Sequence, residues 1–454
     1  MRPELRLVIA GRPGHRAVPV PLLGCTVRYR AADRLRIAGP RPDDLAGHLD
    51  RYGHRPSSLG RDGSDLVATL DAAALTGRGG AHFPAVAKWR AVLAAGAGGY
   101  VVANAAEGEP ASAKDTALLH HRPHLILDGL AAAAEALAAV ASVLWLHDTA
   151  WDARLAVNQA LAERRAAGLV EPPVRVLSGP EHYLTGESSA VLDGIAGGPA
   201  LPAFRRVPAA HAGLDGRPTL VQNVETLARV ALLARTGADA TLPGPLVTVA
   251  AGGVLTVCEP PPHVTLGGLL WHTGLLGPGA RPPQAVLLGG YGGAWASWPS
   301  AADRTLGQLD GRRPAPGSRL APGTYPASAL PSLGAGVVAP LPSDACGLAE
   351  TAAVLGYLAR SSARQCGPCV FGTRELAGTV TRLAAGRARR AEVRRLDQLI
   401  GEVDGRGACA LPDGAARLAR TALTVFDADV DQHLNGRCLH RGTGPALPIP
   451  GGTG

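Results

Sequence analysis

Lysine is almost missing from this 454-residue chain: Lys88 and Lys114 are the only two, and arginine supplies the rest of its 45 basic residues. Aromatic residues make up 4% of the sequence, too few to interleave with the arginines as a nucleic-acid surface requires, and no nucleic-acid module is present. The seven cysteines are an odd number with three gathered late in the chain, which argues for metal chemistry in a reducing cytoplasm and against a disulfide framework. Long apolar runs are missing too. The longest, Leu125 to Leu146, contains Asp128 and Glu135, so it reads as an alanine-rich helix followed by a Val143–Leu146 strand in a buried unit, not a membrane span. Leu22-Leu23-Gly24-Cys25 hints at a lipoprotein cleavage site, but Arg12, His15 and Arg16 break the apolar run such a signal needs.

What is present centres on the two lysines. Gly77-Arg78-Gly79-Gly80-Ala81-His82-Phe83-Pro84 runs into a helical segment that carries Lys88-Trp89. Asn104-Ala105-Ala106-Glu107-Gly108-Glu109-Pro110 follows a strand-like Tyr100-Val101-Val102-Ala103 and leads to Lys114-Asp115. Glycines let backbone N–H groups approach phosphate oxygens, and a helix N-terminus adds a favourable dipole. Lysine supplies a point charge where arginine would impose a flat fork. The spacing fits neither a Walker loop nor the Rossmann fingerprint. Taken singly, a glycine loop serves equally well as a surface turn.

Order and spacing across several segments carry the argument further. The chain has Gly77 to Trp89, Asn104 to Pro110, Gly179-Pro180-Glu181-His182-Tyr183-Leu184-Thr185-Gly186-Glu187-Ser188, Arg217-Pro218-Thr219-Leu220-Val221-Gln222-Asn223-Val224-Glu225-Thr226-Leu227, and Ala363-Arg364-Gln365-Cys366-Gly367-Pro368-Cys369-Val370-Phe371-Gly372. In that order they resemble GRGGAGFPxGxKW, NADExEPG, GxGxYxCGEE, KPTxxNNVETL and ESCGxCxPCRxG of the NADH-binding flavoprotein subunit of respiratory complex I and its relatives in NAD-linked hydrogenases and formate dehydrogenases. The chain is identified as a divergent member of that family over residues 50 to 440. The resemblance implies an oxidoreductase that transfers hydride from NADH to FMN and then single electrons to an iron–sulfur cluster of 4Fe-4S type. The flavin accepts the hydride directly, so no catalytic acid or base is implied. Carried over by position, Gly77, Arg78, Gly79, Lys88, Asn104, Glu107, Gly186, Glu187, Gln222 and Asn223 line FMN, while Phe83, Glu109 and Tyr183, with Glu187 nearby, face NADH. Phe83 offers a stacking face, with a simple core aromatic as the alternative.

The departures matter as well. Ala106 stands for the aspartate of NADExEP, Ser188 for the second glutamate of GEE, Thr185 for the cysteine before it and Ala91 for an aromatic after KW. Flavin binding is therefore expected to be better preserved than NADH binding. The family supplies Cys-x2-Cys-x2-Cys and a distant cysteine to the cluster. Cys366, Cys369 and Cys409 match three of these metal ligands, and Ala363, whose methyl cannot ligate iron, takes the first position. A remote ligand such as Cys346 or Cys438, a labile three-iron form, or no cluster at all are the competing outcomes. Two alternatives remain for the same thiols: a thioredoxin-like Cys366-Gly367-Pro368-Cys369 pair, and zinc held by three cysteines with His433 or His440.

The organisation expected is an irregular lead-in (1–50), an α/β flavin- and NADH-binding domain (51–243), a small β-grasp, ubiquitin-like domain (244–335), a helical iron–sulfur domain (343–440) and a flexible tail (441–454). Alternation of helical runs such as Asp152–Ala167 with strands such as Val174–Leu177 supports the first domain. Ala349–Arg360, Thr373–Leu383, Ala391–Ile400 and Ala415–Phe426 read as helices of the last one. The basic run from Arg387 to Arg395 reads as a solvated helix face or as a docking patch for an acidic electron carrier. Expected partners are a ferredoxin-like or thioredoxin-like [2Fe–2S] protein or a quinone-reductase assembly within a larger redox complex, in the cytoplasm or peripheral to a membrane. A degenerate flavin-binding or scaffold subunit without NADH dehydrogenase activity is the alternative.

Overall fold

The computed structural model describes residues 21–24, 26–30, 42–56, 64–204, 207–238, 241–310, 331–440, 442 and 446–450; Cys25, Arg12, His15 and Arg16 lie outside them. Two sheets organise these residues. The first joins β2 (Tyr100–Asn104), β3 (Ala141–His147), β4 (Val174–Gly179) and β5 (Thr219–Asn223) in the order β4-β3-β2-β5, all parallel. Val101, Val102, Ala103, Val143 and Leu144 are fully buried, the continuous apolar signature of a parallel strand covered on both faces. The chain steps outward from β2 to β3 and β4, then returns to place β5 on the other side of β2. That reversal opens a crevice at the carboxyl ends of β2 and β5, where Asn104 and Asn223 stand opposite each other. The helices Pro123–Ala136 and Val224–Thr236 pack beneath, so closely that a side chain at Gly129 would lie 1.9 Å from the Leu227 carbonyl.

The second sheet contains β1 (Val27–Arg30), β6 (Val247–Ala251), β7 (Val254–Cys258), β8 (Ala285–Leu288), β9 (Ala294–Ser297) and β10 (Val337–Leu341), in the order β1-β7-β6-β10-β8-β9. Only the β6–β10 pairing is parallel. Leu266, Leu269 and Leu270 of the helix Leu266–His272 bury against Val247, Val249, Val286 and Val338. The lead-in differs from the irregular segment expected of it. Val27 and Tyr29 alternate inward and pair with β7, and the Glu259 carboxylate accepts the Leu22 and Leu23 N–H groups at 2.9 Å each. The arginine-rich composition had masked this short alternation.

After β10 come the helices Gly347–Arg360, Thr373–Ala384, Arg390–Val403, Leu411–Val425 and Asp427–Leu434, which share the buried Leu355, Leu376, Val380, Leu396, Ile400 and Leu418. The tail is held down where it is described: Glu350 accepts the Ala446 and Leu447 N–H groups at 2.7 and 3.2 Å. In the basic run, Arg390 pairs with Asp431 and Arg395 with Glu402. These contacts favour the solvated-face reading.

Asp128 explains why the apolar segment around it is no membrane span. It is 2% exposed, hydrogen-bonds His48 at 2.8 Å and pairs with Arg164 and Arg235. Burial alone would raise its pKa, but His48 and the two guanidinium groups hold it well below the usual carboxylate range. The stability it contributes is present above the ordinary pKa of aspartate and fades as pH falls below it. Asp128→Asn should cost about 3–5 kcal/mol, because the buried Arg235 loses its counter-charge and the buried Arg164 keeps only Glu171. Chemical denaturation at neutral pH measures this, and the difference from wild type should shrink in acid.

Candidate functional site

Thr76 bridges Pro84, and the Gly77 N–H donates to the Phe83 carbonyl at 2.8 Å, folding residues 77–83 into a closed loop before the helix Ala85–Ala95. A side chain at Gly77 would approach the Phe83 carbonyl and Gln222 Nε2, and one at Gly79 would meet Asn223. The loop therefore lies over the carboxyl end of β5. Phe83 stands at its rim, 42% exposed, which excludes the core-aromatic alternative.

Lys88 points from this helix toward Glu187. It is half-buried, and among the described residues its ammonium has no hydrogen-bond or ion-pair partner. Burial lowers its pKa while Glu187 pulls the other way. Asn104 donates to the Gly186 carbonyl at 2.7 Å and accepts the Ala106 N–H at 3.2 Å. Gly186 admits no side chain, since a Cβ would fall 2.5 Å from the Ala106 carbonyl. Glu187 caps the helix Ser188–Ile195 through the Ser189 and Ala190 N–H groups. Gln222 is 3% exposed, and its Oε1 is buried without a partner.

An orphaned buried amide oxygen and a half-buried lysine with no direct partner among the described residues are what a flavin phosphate and ring would complete. The residues present fit FMN. Lys88, Asn104, Gly186, Gln222 and Asn223 converge on the crevice with the glycine loop.

Other expected contacts are committed inside the protein. The Glu107 carboxylate accepts from Ser112 Oγ, Thr116 Oγ1 and the Asp115 and Thr116 N–H groups, capping the helix Lys114–His121. Arg78 donates its backbone N–H to Thr226 Oγ1 at 2.9 Å, while its guanidinium pairs with Asp310. Lys114 is 3% exposed and bridges Asp115 at 2.7 Å and Glu225 at 3.0 Å. Burial would raise the Glu225 pKa, but Lys114, Arg229 and Arg78 bring it down to about 2. Asp115 in turn accepts from Asn223 Nδ2 at 2.7 Å, so this buried network braces the crevice from behind.

Glu109 and Tyr183 meet where the first sheet faces the β8–β9 turn. Glu109 accepts the Tyr291 N–H at 2.8 Å and the Ala111 N–H at 3.2 Å. Gly290 has φ 88°, and a side chain there would strike the Glu109 carboxylate at 2.4 Å. The Tyr183 ring stacks edge-on against Tyr357, as does Tyr291, with centroids 5.9 and 5.7 Å apart. Burial, aided by Glu109 and Tyr357, raises the Tyr183 pKa well above that of a free phenol.

Cys366, Cys369, Cys409 and Ala363 gather with Leu184 and Leu411 in one small apolar cluster. Ser362 Oγ lies 2.6 Å from Cys369 Sγ. Burial lifts the Cys409 thiol to about 11, assisted by Cys369, Glu187 and Cys366. Among the described residues only Cys346, His433 and Cys438 have ligand atoms all within 4.8 Å of one another. The three clustered thiols are thus too widely spread to share one ion, as thiolates around a multi-iron cluster must be. Zinc held by these thiols with His433 is not built, because His433 lies against Cys346 at 3.4 Å instead. Cys346 cannot rescue the vacant corner either. It precedes the helix Gly347–Arg360, which spans about 21 Å before the cysteine loop begins. Cys438 stays with Cys346. Three thiols and an empty corner at Ala363 fit an iron–sulfur group incompletely.

Residues 70–232 match the Nuo51 FMN-binding domain family, and residues 349–433 match the NADH-ubiquinone oxidoreductase-F iron-sulfur binding region. The chain belongs to this flavoprotein family. Among curated relatives of the family, an NADH-quinone oxidoreductase subunit of Streptomyces coelicolor is 28% identical over 82% of this chain and 84% of its own. The mitochondrial NADH dehydrogenase [ubiquinone] flavoprotein 1 of Dictyostelium discoideum is 27% identical over 84% of this chain and 81% of its own. Among solved structures, an NAD+-reducing [NiFe]-hydrogenase in the H2-reduced state aligns with a TM-score of 0.68 at 26% identity, covering 87% of this chain and 67% of that one. The shared fold is an α/β flavin-binding fold with mixed sheets and helices. Among the described residues no helix is long and apolar enough to cross a membrane.

Proposed function

We propose that this chain oxidises NADH as the flavoprotein subunit of a larger redox complex, using FMN in the β2–β5 crevice and passing electrons to an iron–sulfur group at Cys366, Cys369 and Cys409. The observation that carries this reading is the Tyr183–Glu187 turn. Its Gly186 carbonyl holds Asn104 at the crevice, while its Leu184 packs on Cys369 in the cysteine cluster. Flavin and cluster sites therefore share one rigid turn, which suits electron transfer over a short path.

FMN, when bound, supplies conversion of a two-electron hydride into single electrons. The chain's part is to hold and orient. Lys88 and the loop N–H groups offer charge and donors to phosphate, Gln222 and Asn104 offer amides to the ring, and Phe83 offers a face to a planar ligand entering past the rim. Glu109 and Tyr183 set the floor on the NADH side and keep the β8–β9 turn in register. We read residues 244–335, completed by the adjoining strand β10 just beyond them, as a β-grasp domain, supported by the strand order β7-β6-β10-β8-β9 with the helices Leu266–His272 and Leu306–Leu309 laid against it. We read 343–440 as the helical iron–sulfur domain, supported by its shared apolar core. A ferredoxin-like or thioredoxin-like [2Fe–2S] protein is the proposed acceptor.

Adding NADH anaerobically to the FMN-loaded chain should bleach the flavin. Half-saturation is expected at roughly tens to hundreds of micromolar, in the upper part of the usual range, because Ala106 and Ser188 replace carboxylates of the family pattern. Flavin that stays oxidised at millimolar NADH would favour a scaffold role.

A further inference from the structure

At the opposite end of the helix Gly347–Arg360 from the cysteine cluster lies a second group of metal-binding side chains. Cys346 stands at the N-cap, His433 in the last turn of Asp427–Leu434 and Cys438 just beyond it. All three ligand atoms lie within 4.8 Å of one another, and Cys346 Sγ is 3.4 Å from His433 Nε2. Zinc–sulfur and zinc–nitrogen bonds of about 2.3 and 2.1 Å at a tetrahedral angle would place those atoms about 3.6 Å apart. His433 is 2% exposed, whereas Cys438 is exposed and leaves one side open to solvent.

We propose that Cys346, His433 and Cys438 bind one zinc ion, with solvent completing a tetrahedron. Two thiolates and one imidazole form a soft donor set that suits zinc over magnesium or calcium. The Leu348 and Ala349 N–H groups at the helix N-terminus point at Cys346 and support its thiolate once metal displaces the proton. The ion ties the start of this helix to the C-terminal segment, beside the place where Glu350 grips the Ala446 and Leu447 N–H groups. The same helix carries Tyr357 against Tyr183 and ends at the cysteine loop. The zinc therefore steadies the element that links both halves of the electron path, while standing outside that path.

Elemental analysis of the full chain, purified under reducing conditions and then loaded with zinc alone and dialysed, tests this. Roughly one tightly held zinc per chain is expected. It should persist in the triple variant Cys366→Ser/Cys369→Ser/Cys409→Ser, which empties the other cluster, and be lost in Cys438→Ser, whose exposed position leaves the fold intact. Cobalt(II) in place of zinc should show thiolate-to-metal charge-transfer bands that vanish in Cys438→Ser and Cys346→Ser. The proposal is overturned if the wild type retains no stoichiometric zinc, if zinc follows the triple variant and not Cys438, or if non-reduced peptides of fresh protein carry a Cys346–Cys438 disulfide.

Discussion

Replacing Lys88 by alanine is expected to strip FMN from a chain that stays folded. The ammonium is half-buried and faces Glu187 without a direct partner among the described residues, so its removal leaves no stranded counter-ion inside the protein. The loss should fall on the ligand. A hydrogen bond to a charged group contributes about 1.5–3 kcal/mol, which corresponds to a fall in affinity of roughly 10- to 150-fold. Lys88→Arg should recover only part of this, because a guanidinium fork needs more room than a point charge. Lys114 makes the contrast. Lys114→Met should cost about 3–5 kcal/mol of stability by leaving Asp115 buried without its cation and Glu225 with Arg229 and Arg78 alone. Flavin fluorescence titration and thermal melting of both variants separate these roles. Wild-type FMN affinity in Lys88→Ala would remove the lysine from the site.

That contrast also shows what could be read from sequence. The glycine loop, the two asparagines and the strand runs at Tyr100–Ala103, Val143–Leu146 and Val174–Leu177 were legible because each is written locally, in glycine spacing, in a strand's apolar run and in the residue that ends it. The fates of Lys114, Glu107 and Arg78 were not. Their segments resemble ligand-binding motifs, but their partners Glu225, Thr116 and Asp310 come from other elements or from the far side of a turn, and only folding decides whether a charged group faces a ligand or another side chain. The cysteines teach the same lesson at longer range. Cys346 and Cys438 look near the cluster along the chain, yet a rigid helix carries Cys346 away from it and brings it to His433, 87 residues distant. A run of cysteines reveals a cluster; a cysteine, a histidine and a cysteine scattered over three elements reveal nothing until the helices are packed.

Ala363→Cys is expected to raise iron content toward about four per chain and to slow loss of iron in air. The backbone is already shaped for it. Arg364 adopts φ 57° at the position where the family pattern has glycine, so the ligand loop keeps its left-handed turn despite the larger residue. Ala363 itself lies in the cluster with Cys366, Cys369 and Cys409, and a thiol in place of its methyl hydrogen would enter the corner that now lacks a ligand. In the wild-type chain Ser362 immediately precedes that corner, and its hydroxyl already contacts Cys369 Sγ at 2.6 Å. An iron there would depend on solvent or on that hydroxyl, and would be lost first on oxidation. Iron and sulfide assays with EPR of the reduced protein, on wild type, Ala363→Cys and Ser362→Ala purified side by side, decide the matter. If wild type already holds four irons after aerobic purification and Ser362→Ala loses one, serine is completing the site. If neither change alters iron content, Ala363 is not the missing corner.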